Sequence, residues 1–131
     1  MSHIDSAVAE AVRNTVAAYA QALDAGQTEQ IVETFTPDGV SEIQGVGTFT
    51  GHQELRAGYA GMAPTAPQLH LVGNVHVTSA TPKEATAVSN VLFVRRGESG
   101  WTTHVIGRYE DTLRPHDGRW RFSKRITTFQ M

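Results

Sequence analysis

Asp24 and His70 are the two residues in this chain whose types are best suited to chemistry. A carboxylate can orient an imidazole by accepting a hydrogen bond from it, and the imidazole can gain or lose a proton near neutral pH. The two residues lie far apart in the sequence, so they form a proton-transfer pair only if the fold brings them together. If they meet in a closed pocket, we expect a small acid/base enzyme.

The first helix predicted from the sequence carries Asp24 at its end. Apolar residues recur in it at steps of three and four, which is typical of one face of an amphipathic helix. These residues are Ile4, Val8, Val12, Val16, Tyr19 and Leu23. Ala25-Gly26 should end the helix, because glycine tolerates the left-handed backbone conformation found at many helix ends.

The next segments are predicted to be short. Thr28 is expected to cap a second helix, whose apolar residues are Ile31, Val32 and Phe35. Pro37-Asp38-Gly39 predicts a turn. A short strand is then expected at residues 40–44 and a third helix at residues 52–62.

The second half of the chain alternates in the manner of β-strands. Four strands are predicted, at residues 68–79, 85–96, 101–114 and 119–130, with turn residues between them. Strands of this length at hairpin spacing favour a strongly curved antiparallel sheet. Helices followed by a sheet indicate the α+β class. Helices folded across the concave side would make a cone with one open end, which is a natural ligand pocket.

Strand alternation also predicts which residues share a face with His70. The expected companions are Val72, Asn74, His76 and Thr78. The opposite face should carry Leu69, Leu71, Val75 and Val77. His70 would then lie on one continuous face of the strand.

Composition narrows the function. The chain has 131 residues, which fits a single domain over residues 1–131, and its 40% hydrophobic content and net charge of −2 are ordinary for a globular protein. Its 11 Lys and Arg residues are scattered, so we expect no nucleic-acid partner. No apolar run is long enough to span a membrane. The absence of cysteine excludes disulfides and thiolate sites, and a cytoplasmic location is the default expectation.

Several segments, in this order and spacing, resemble one superfamily. They are Tyr19-Ala-Gln-Ala-Leu-Asp24, Phe35-Thr-Pro-Asp38-Gly, Gly45-Val-Gly47-Thr-Phe-Thr-Gly51, His70-Leu-Val-Gly-Asn74, Gly107-Arg-Tyr109 and Asp117-Gly-Arg-Trp120-Arg-Phe. The chain resembles the nuclear-transport-factor-2-like superfamily, and in particular its SnoaL-like branch. The resemblance implies a cone-shaped curved antiparallel sheet wrapped around the N-terminal helices.

The resemblance also implies a reaction class. Scytalone dehydratases and hexachlorocyclohexane dehydrochlorinases are the enzyme groups that look most similar, and bile-acid dehydratases also look similar at Tyr19 and Asp24. The first two eliminate without a metal and use a histidine base paired with an aspartate, which fall on His70 and Asp24. The implied protein is a lyase that needs no cofactor, and the predicted apolar lining of its pocket suggests a hydrophobic, cyclic small molecule as substrate.

Departures from these groups leave other reactions open. Scytalone dehydratase has a second active-site histidine, and Arg95 stands near that place. Steroid isomerases of this fold resemble the Tyr19 region, but their aspartate base falls near Ile43, with Glu42 one position away. An isomerase, a polyketide cyclase and a non-catalytic ligand-binding module therefore remain alternatives.

The remaining candidates surround the predicted pair. Tyr19 would donate a hydrogen bond to a substrate oxygen. Arg95 and Arg125 could stabilise an enolate or a leaving anion, although alternation favours a solvent-facing strand end for both. Tyr109, Phe93 and Phe35 are predicted to contact the substrate, and Val16, Leu71 and Val105 to complete the apolar lining.

Two further histidines, His76 and His104, are expected to be structural or exposed, because they form no cluster with metal-ligand spacing. The outer face of a curved sheet leaves apolar residues to be covered. We therefore expect a homodimer or a homotrimer.

Overall fold

The computed structural model describes residues 3–130 as three helices and six strands. The helices are α1 (Ser6–Asp24), α2 (Thr28–Glu33) and α3 (Gly51–Ala60). The strands are β1 (Phe35–Ile43), β2 (Gly47–Thr50), β3 (Gln68–Ala80), β4 (Ala85–Gly97), β5 (Gly100–His116) and β6 (Arg119–Gln130). The four strands of the second half were therefore predicted to within two residues at each end.

The six strands form one curved sheet in the order β2-β1-β6-β5-β4-β3. Four neighbouring pairs are antiparallel, and β1 runs parallel to β6. This confirms the α+β class. The sheet was predicted to be antiparallel, and the parallel pair of β1 and β6 was not foreseen. Hairpin spacing could not reveal it, because β1 and β6 are separated by most of the chain.

Helix α1 packs its apolar stripe against the sheet, mainly on β3. The helix begins after Asp5, whose side chain accepts hydrogen bonds from the backbone N–H groups of Ala7 and Val8, at 3.0 and 3.2 Å. It ends at Asp24, followed by Gly26 with φ +67°. The predicted helix end is thus confirmed, and it places Asp24 in the last turn of α1.

Local predictions for α2 and β1 were wrong in three places. The residue before α2 is Gln27, and no side chain caps the helix, so Thr28 is not its cap. Phe35 begins β1 instead of belonging to α2. Pro37-Asp38-Gly39 lies within β1, where the pairing with β6 is irregular between Phe35 and Val40. The turn-type residues therefore form a bulge in a strand.

Strand β3 changes its alternation at Gly73 and Asn74. Its pairing advances three residues from Gly73 to His76 while β4 advances two, from Asn90 to Val88. Asn74 has φ +53°, so the strand contains a bulge with one extra residue. The predicted faces hold as far as Val72 and are reversed beyond it, because an extra residue shifts a period of two.

After this bulge, Val75 and Val77 turn toward the core, and Asn74 and His76 are exposed. Among residues 3–130, no helix combines the length and the apolar character needed to cross a membrane.

Candidate active site

Asp24 and His70 are in direct contact. Asp24 Oδ1 lies 2.6 Å from His70 Nδ1, and Asp24 Oδ2 accepts a 2.7 Å hydrogen bond from the backbone N–H of His70. Gln68 Nε2 donates a third bond to Oδ1, at 3.2 Å. An acidic side chain at a helix C-terminus meets the negative end of the helix dipole, and these three donors offset that penalty.

The hydrogen-bond pattern assigns the His70 tautomer. The Asp24 carboxylate accepts all three bonds, so Nδ1 carries the hydrogen and Nε2 keeps its lone pair. Both side chains are 15% exposed, which leaves the pair largely shielded from water. An imidazole held in this way can remove a proton through Nε2, and the carboxylate would stabilise the resulting imidazolium.

Phe93 fixes the plane of the His70 ring. It is the direct partner of His70 across the β3–β4 pair, and the two rings stack with centroids 4.4 Å apart and an interplanar angle of 23°. Asp24 holds the edge of the imidazole while Phe93 covers one face, so the ring has little freedom to rotate.

His70 lines a cavity of about 260 Å³ on the concave side of the sheet. Its lining consists of Tyr19, Leu23, Ile43, Val46, Tyr59, Met62, Gln68, His70, Val91, Phe93, Val105, Tyr109, Thr127 and Phe129. Most of these side chains are apolar, and the polar ones other than His70 are phenols, an amide and a hydroxyl. None of the lining residues is an acid, a lysine or an arginine.

A chain of three hydroxyl groups lies at one side of this cavity. Tyr19 and Tyr59 are joined by a 2.7 Å hydrogen bond between their hydroxyls, and Tyr59 bonds Ser41 Oγ at 2.8 Å. Burial raises the pKa of Tyr19 well above its usual value, and burial raises the pKa of Tyr59 to about 12. Both phenols therefore stay protonated at neutral pH and can donate hydrogen bonds.

Arg125 and Asp111 form a fully buried ion pair beneath the cavity. Arg125 Nε and Nη2 donate to the two carboxylate oxygens of Asp111 at 2.8 and 3.1 Å. Burial raises the pKa of Asp111, and the guanidinium opposes this rise. Burial disfavours the charge of Arg125, but Asp111, Tyr109 and Tyr19 together outweigh it and raise the pKa of the guanidinium.

The guanidinium also touches the phenols of the cavity. Arg125 Cζ lies 4.4 Å from the ring centroid of Tyr19 and 3.5 Å from that of Tyr109. Such contacts are cation–π interactions. The expectation that Arg125 faces solvent is wrong. The residue is buried between its partner strands β1 and β5, and Asp111 on β5 provides the counter-charge.

The structure places the other predicted site residues in two groups. Tyr19, Tyr109, Phe93 and Val105 line the cavity with His70. Arg125, Arg95, Phe35, Val16 and Leu71 are not among the lining residues.

The residues outside the lining lie in the core or on the surface, and Val16 is buried on α1. Phe35 packs on Tyr19 within the core, with ring centroids 6.2 Å apart. Arg95 donates to Thr65 Oγ1 at 3.4 Å, and Leu71 is 59% exposed on the outer face. Ile43 faces the cavity where steroid isomerases would have their base, and Glu42 is exposed.

Sequence reasoning missed Tyr59, Gln68, Ser41 and Thr127. Gln68 could have been found, because it precedes His70 by two residues and so shares its strand face. Tyr59 gave no such signal, since its partner Tyr19 lies on another helix. His76 and His104 are exposed, as expected. Within residues 3–130, no group of three His, Asp or Glu side chains is arranged to hold a metal ion.

Comparison with known proteins agrees with this architecture. The family model of the SnoaL-like domain matches residues 5–126, nearly the whole chain. The chain belongs to the SnoaL-like domain family. This confirms the resemblance stated from the sequence motifs. No protein of curated function matches the sequence at a significant level.

Several solved structures share the fold. A protein of unknown function from Nostoc punctiforme with a cystatin-like fold has a TM-score of 0.86 at 23% identity, covering 99% of this chain and 96% of that one. A protein provisionally described as a scytalone dehydratase, from Novosphingobium aromaticivorans, has a TM-score of 0.81 at 24% identity, covering 93% and 83%. A hexachlorocyclohexane dehydrochlorinase, LinA type 2, has a TM-score of 0.82 at 17% identity, covering 95% and 86%.

Proposed function

We propose that this SnoaL-like protein is a small cofactor-independent lyase that uses His70 as a general base. Its substrate would be a hydrophobic, cyclic small molecule that loses water or halide. The observation that carries the proposal is the 2.6 Å contact between Asp24 and His70 at the wall of an apolar cavity. Two structural relatives, one provisionally described as a scytalone dehydratase and one a hexachlorocyclohexane dehydrochlorinase, support the same class.

The proposed step is a proton transfer coupled to bond cleavage. His70 Nε2 takes a proton from a carbon next to the carbon that bears the leaving group. The electron pair of the C–H bond forms a C=C bond, and the bond to the leaving group breaks. A halide departs as the anion, and His70 then releases its proton to water. A hydroxyl group departs as water by taking the proton that His70 Nε2 removed, which returns the imidazole to its neutral form. Asp24 stabilises the imidazolium while it exists.

The hydroxyl chain supports a donor role for Tyr19. If Ser41 donates to Tyr59 and Tyr59 donates to Tyr19, the Tyr19 hydrogen is free to bond a substrate oxygen that gains negative charge. The positive charge of Arg125, which lies over the Tyr19 ring, would make the Tyr19 hydroxyl a stronger donor. The effect would be partial, because Asp111 cancels much of that charge. In this proposal Tyr19 is catalytic, Tyr109 and Phe93 contact the substrate, and Arg125 positions the phenols.

The same donor favours a second candidate function. A base that returns its proton to another carbon, with Tyr19 bonding the enolate oxygen, would give an isomerase or a polyketide cyclase. The polar groups of the lining suit both candidate functions equally, since they comprise one base and several neutral hydrogen-bond donors. The two differ in whether a group leaves, so product analysis separates them.

A reactive probe tests the base directly. 5-Nitrobenzisoxazole is uncharged and bicyclic, and removal of its ring C–H proton breaks the N–O bond to give a coloured nitrile-bearing phenolate. We expect the wild-type protein to accelerate this elimination and His70→Ala to slow it by roughly 100- to 10,000-fold, the usual contribution of a positioned base. His76→Ala is the matched control, since His76 is an exposed histidine on the same strand.

If the wild-type protein and His70→Ala open the probe at the same rate, the cavity is not a site of His70 catalysis. A thermal-shift screen against steroids, polyketides and halogenated rings would then identify the ligand of a binding module. The same screen supplies substrates for product analysis if His70 is active.

We also propose that the protein is a homodimer or a homotrimer. Leu69, Leu71 and Ile106 are 45%, 59% and 52% exposed on the outer face of the sheet. Light scattering should give a mass of two or three chains for the wild type and a lower mass for Leu71→Lys. A wild-type mass of one chain at high protein concentration would contradict the proposal.

A further inference from the structure

Thr127 presents a hydroxyl group that has no hydrogen-bond partner among residues 3–130. The residue is 4% exposed and lines the cavity. Nearly all buried hydroxyls in proteins are hydrogen-bonded, because an unpaired one has lost its bonds to water without replacement. A hydroxyl left unpaired at a cavity wall is therefore suited to bind a polar atom of a ligand.

Thr127 and His70 stand well apart across the sheet. Thr127 lies on β6 and pairs with Tyr109 on β5, whereas His70 lies on β3. The strand order β6-β5-β4-β3 puts two strands between them. A ligand that touches both residues must span the cavity, with one end at the base and the other at the hydroxyl.

We propose that Thr127 determines substrate specificity by hydrogen-bonding an oxygen at the end of the substrate remote from the carbon that His70 deprotonates. This rests on the proposed function and narrows its substrate class. The substrate is an uncharged, largely apolar ring compound that carries a hydroxyl or carbonyl oxygen. A threonine hydroxyl can donate or accept, so it binds either kind of oxygen. The apolar lining gives no charged partner to a carboxylate or a phosphate.

Ser89 offers a matched control within the same row of residues. It pairs with Tyr109 from the other side, is 2% exposed, and its hydroxyl also has no partner among the described residues. Ser89 is not among the cavity-lining residues. The two hydroxyls therefore differ in access to a ligand and share their burial and lack of partner.

The experiment compares a matched pair of ring compounds, 2-tetralone and tetralin, which differ by one carbonyl oxygen. Dissociation constants are measured for the wild type, Thr127→Val, Thr127→Ser and Ser89→Ala. We expect Thr127→Val to weaken the binding of 2-tetralone by about 2- to 12-fold, the usual effect of one hydrogen bond, and to leave the binding of tetralin unchanged. Thr127→Ser retains a hydroxyl and should therefore still bind 2-tetralone more tightly than tetralin. Ser89→Ala should leave the ratio of the two dissociation constants unchanged.

A second readout separates ligand binding from a structural role. Thr127→Val and Ser89→Ala each remove an unpaired buried hydroxyl, so both should unfold at a slightly higher urea concentration than the wild type. A hydroxyl that held the fold together would give the opposite sign. If Thr127→Val does not fold, Thr127→Ala replaces it in the comparison with Thr127→Ser.

The inference is overturned if Thr127→Val keeps the wild-type ratio of the two dissociation constants, if Ser89→Ala lowers that ratio equally, or if the wild type binds neither ring. Elimination of 5-nitrobenzisoxazole is measured on the wild type and His70→Ala in parallel. If elimination depends on His70 but Thr127→Val keeps the wild-type ratio of dissociation constants, the role of Thr127 is refuted and the catalytic proposal stands. A Thr127-dependent ratio without His70-dependent elimination refutes the catalytic proposal and leaves Thr127 as a ligand-binding residue.

Discussion

Replacing Asp111 with asparagine should destabilise the protein severely. The substitution preserves shape but removes the only carboxylate that Arg125 bonds within residues 3–130, and the Arg125 side chain is fully buried. Breaking a buried ion pair by removing one partner costs about 3–5 kcal/mol, because the remaining charge is left without compensation. Domains of this size unfold with a free energy of roughly 5–15 kcal/mol, so the change would remove a large share of the stability.

The melting temperature gives a second measure of the same effect. For a domain of this length, 1 kcal/mol corresponds to about 3–5 °C, so Asp111→Asn should melt roughly 10–20 °C below the wild type. Urea unfolding followed by circular dichroism measures the free energy, and an unchanged slope shows that the folded state is intact.

Two further variants test the reasoning about charge. Arg125→Met combined with Asp111→Asn removes both charges, so the double variant should be clearly more stable than Asp111→Asn alone. The exposed pair of Arg114 and Glu84, at 3.0 Å, is the control, and Glu84→Gln should cost at most about 1 kcal/mol. An Asp111→Asn variant that loses no more stability than Glu84→Gln would refute the argument.

Three other predictions follow from the same geometry. Asp24→Asn should slow elimination of 5-nitrobenzisoxazole by roughly 100- to 10,000-fold, because an amide no longer holds His70 in the reactive tautomer; an unchanged rate would contradict the dyad. All three tyrosines, Tyr19, Tyr59 and Tyr109, are buried with a raised pKa. Burial raises the pKa of Tyr59 from 10.0 to about 12. Its contribution to the free energy of unfolding, about 3 kcal/mol, is therefore complete below pH 10 and is lost as the pH rises through about 12. Phenolate absorbance should therefore rise only as the protein unfolds in alkali, and a tyrosine ionising near pH 10 in the folded state would disagree. Gly39→Ala should cost about 1–3 kcal/mol in urea unfolding, since its Cβ would lie 2.9 Å from the Phe122 carbonyl oxygen; a neutral effect would show that β1 can shift.

The regular elements were predictable because their signals are local. The apolar stripe of α1 and the glycine after it located Asp24 in a last helical turn. Alternation located His70 in a strand and placed Val72 on the same side. Beyond Val72 the same rule failed, because the bulge at Asn74 depends on how β3 pairs with β4.

The candidate site was predictable only in part. Tyr19, Phe93 and Tyr109 line the cavity as expected. Arg125 occupies a buried position that its sequence neighbours do not reveal, since Asp111 neutralises it from another strand. Tyr59 and Thr127 were missed because their roles come from contacts with α1 and from the shape of the cavity, which involve residues distant in sequence.

The amino-acid sequence by itself determined the helices, the long strands and the types of the two residues proposed to react, because periodicity and turn chemistry act over a few neighbouring residues. Tertiary structure decided that β1 runs beside β6, that the carboxylate of Asp24 meets the ring of His70, and that Arg125 lies beneath the phenols. Each of these depends on which faces pack when the sheet curves around α1. Packing between distant segments leaves no local pattern in the sequence.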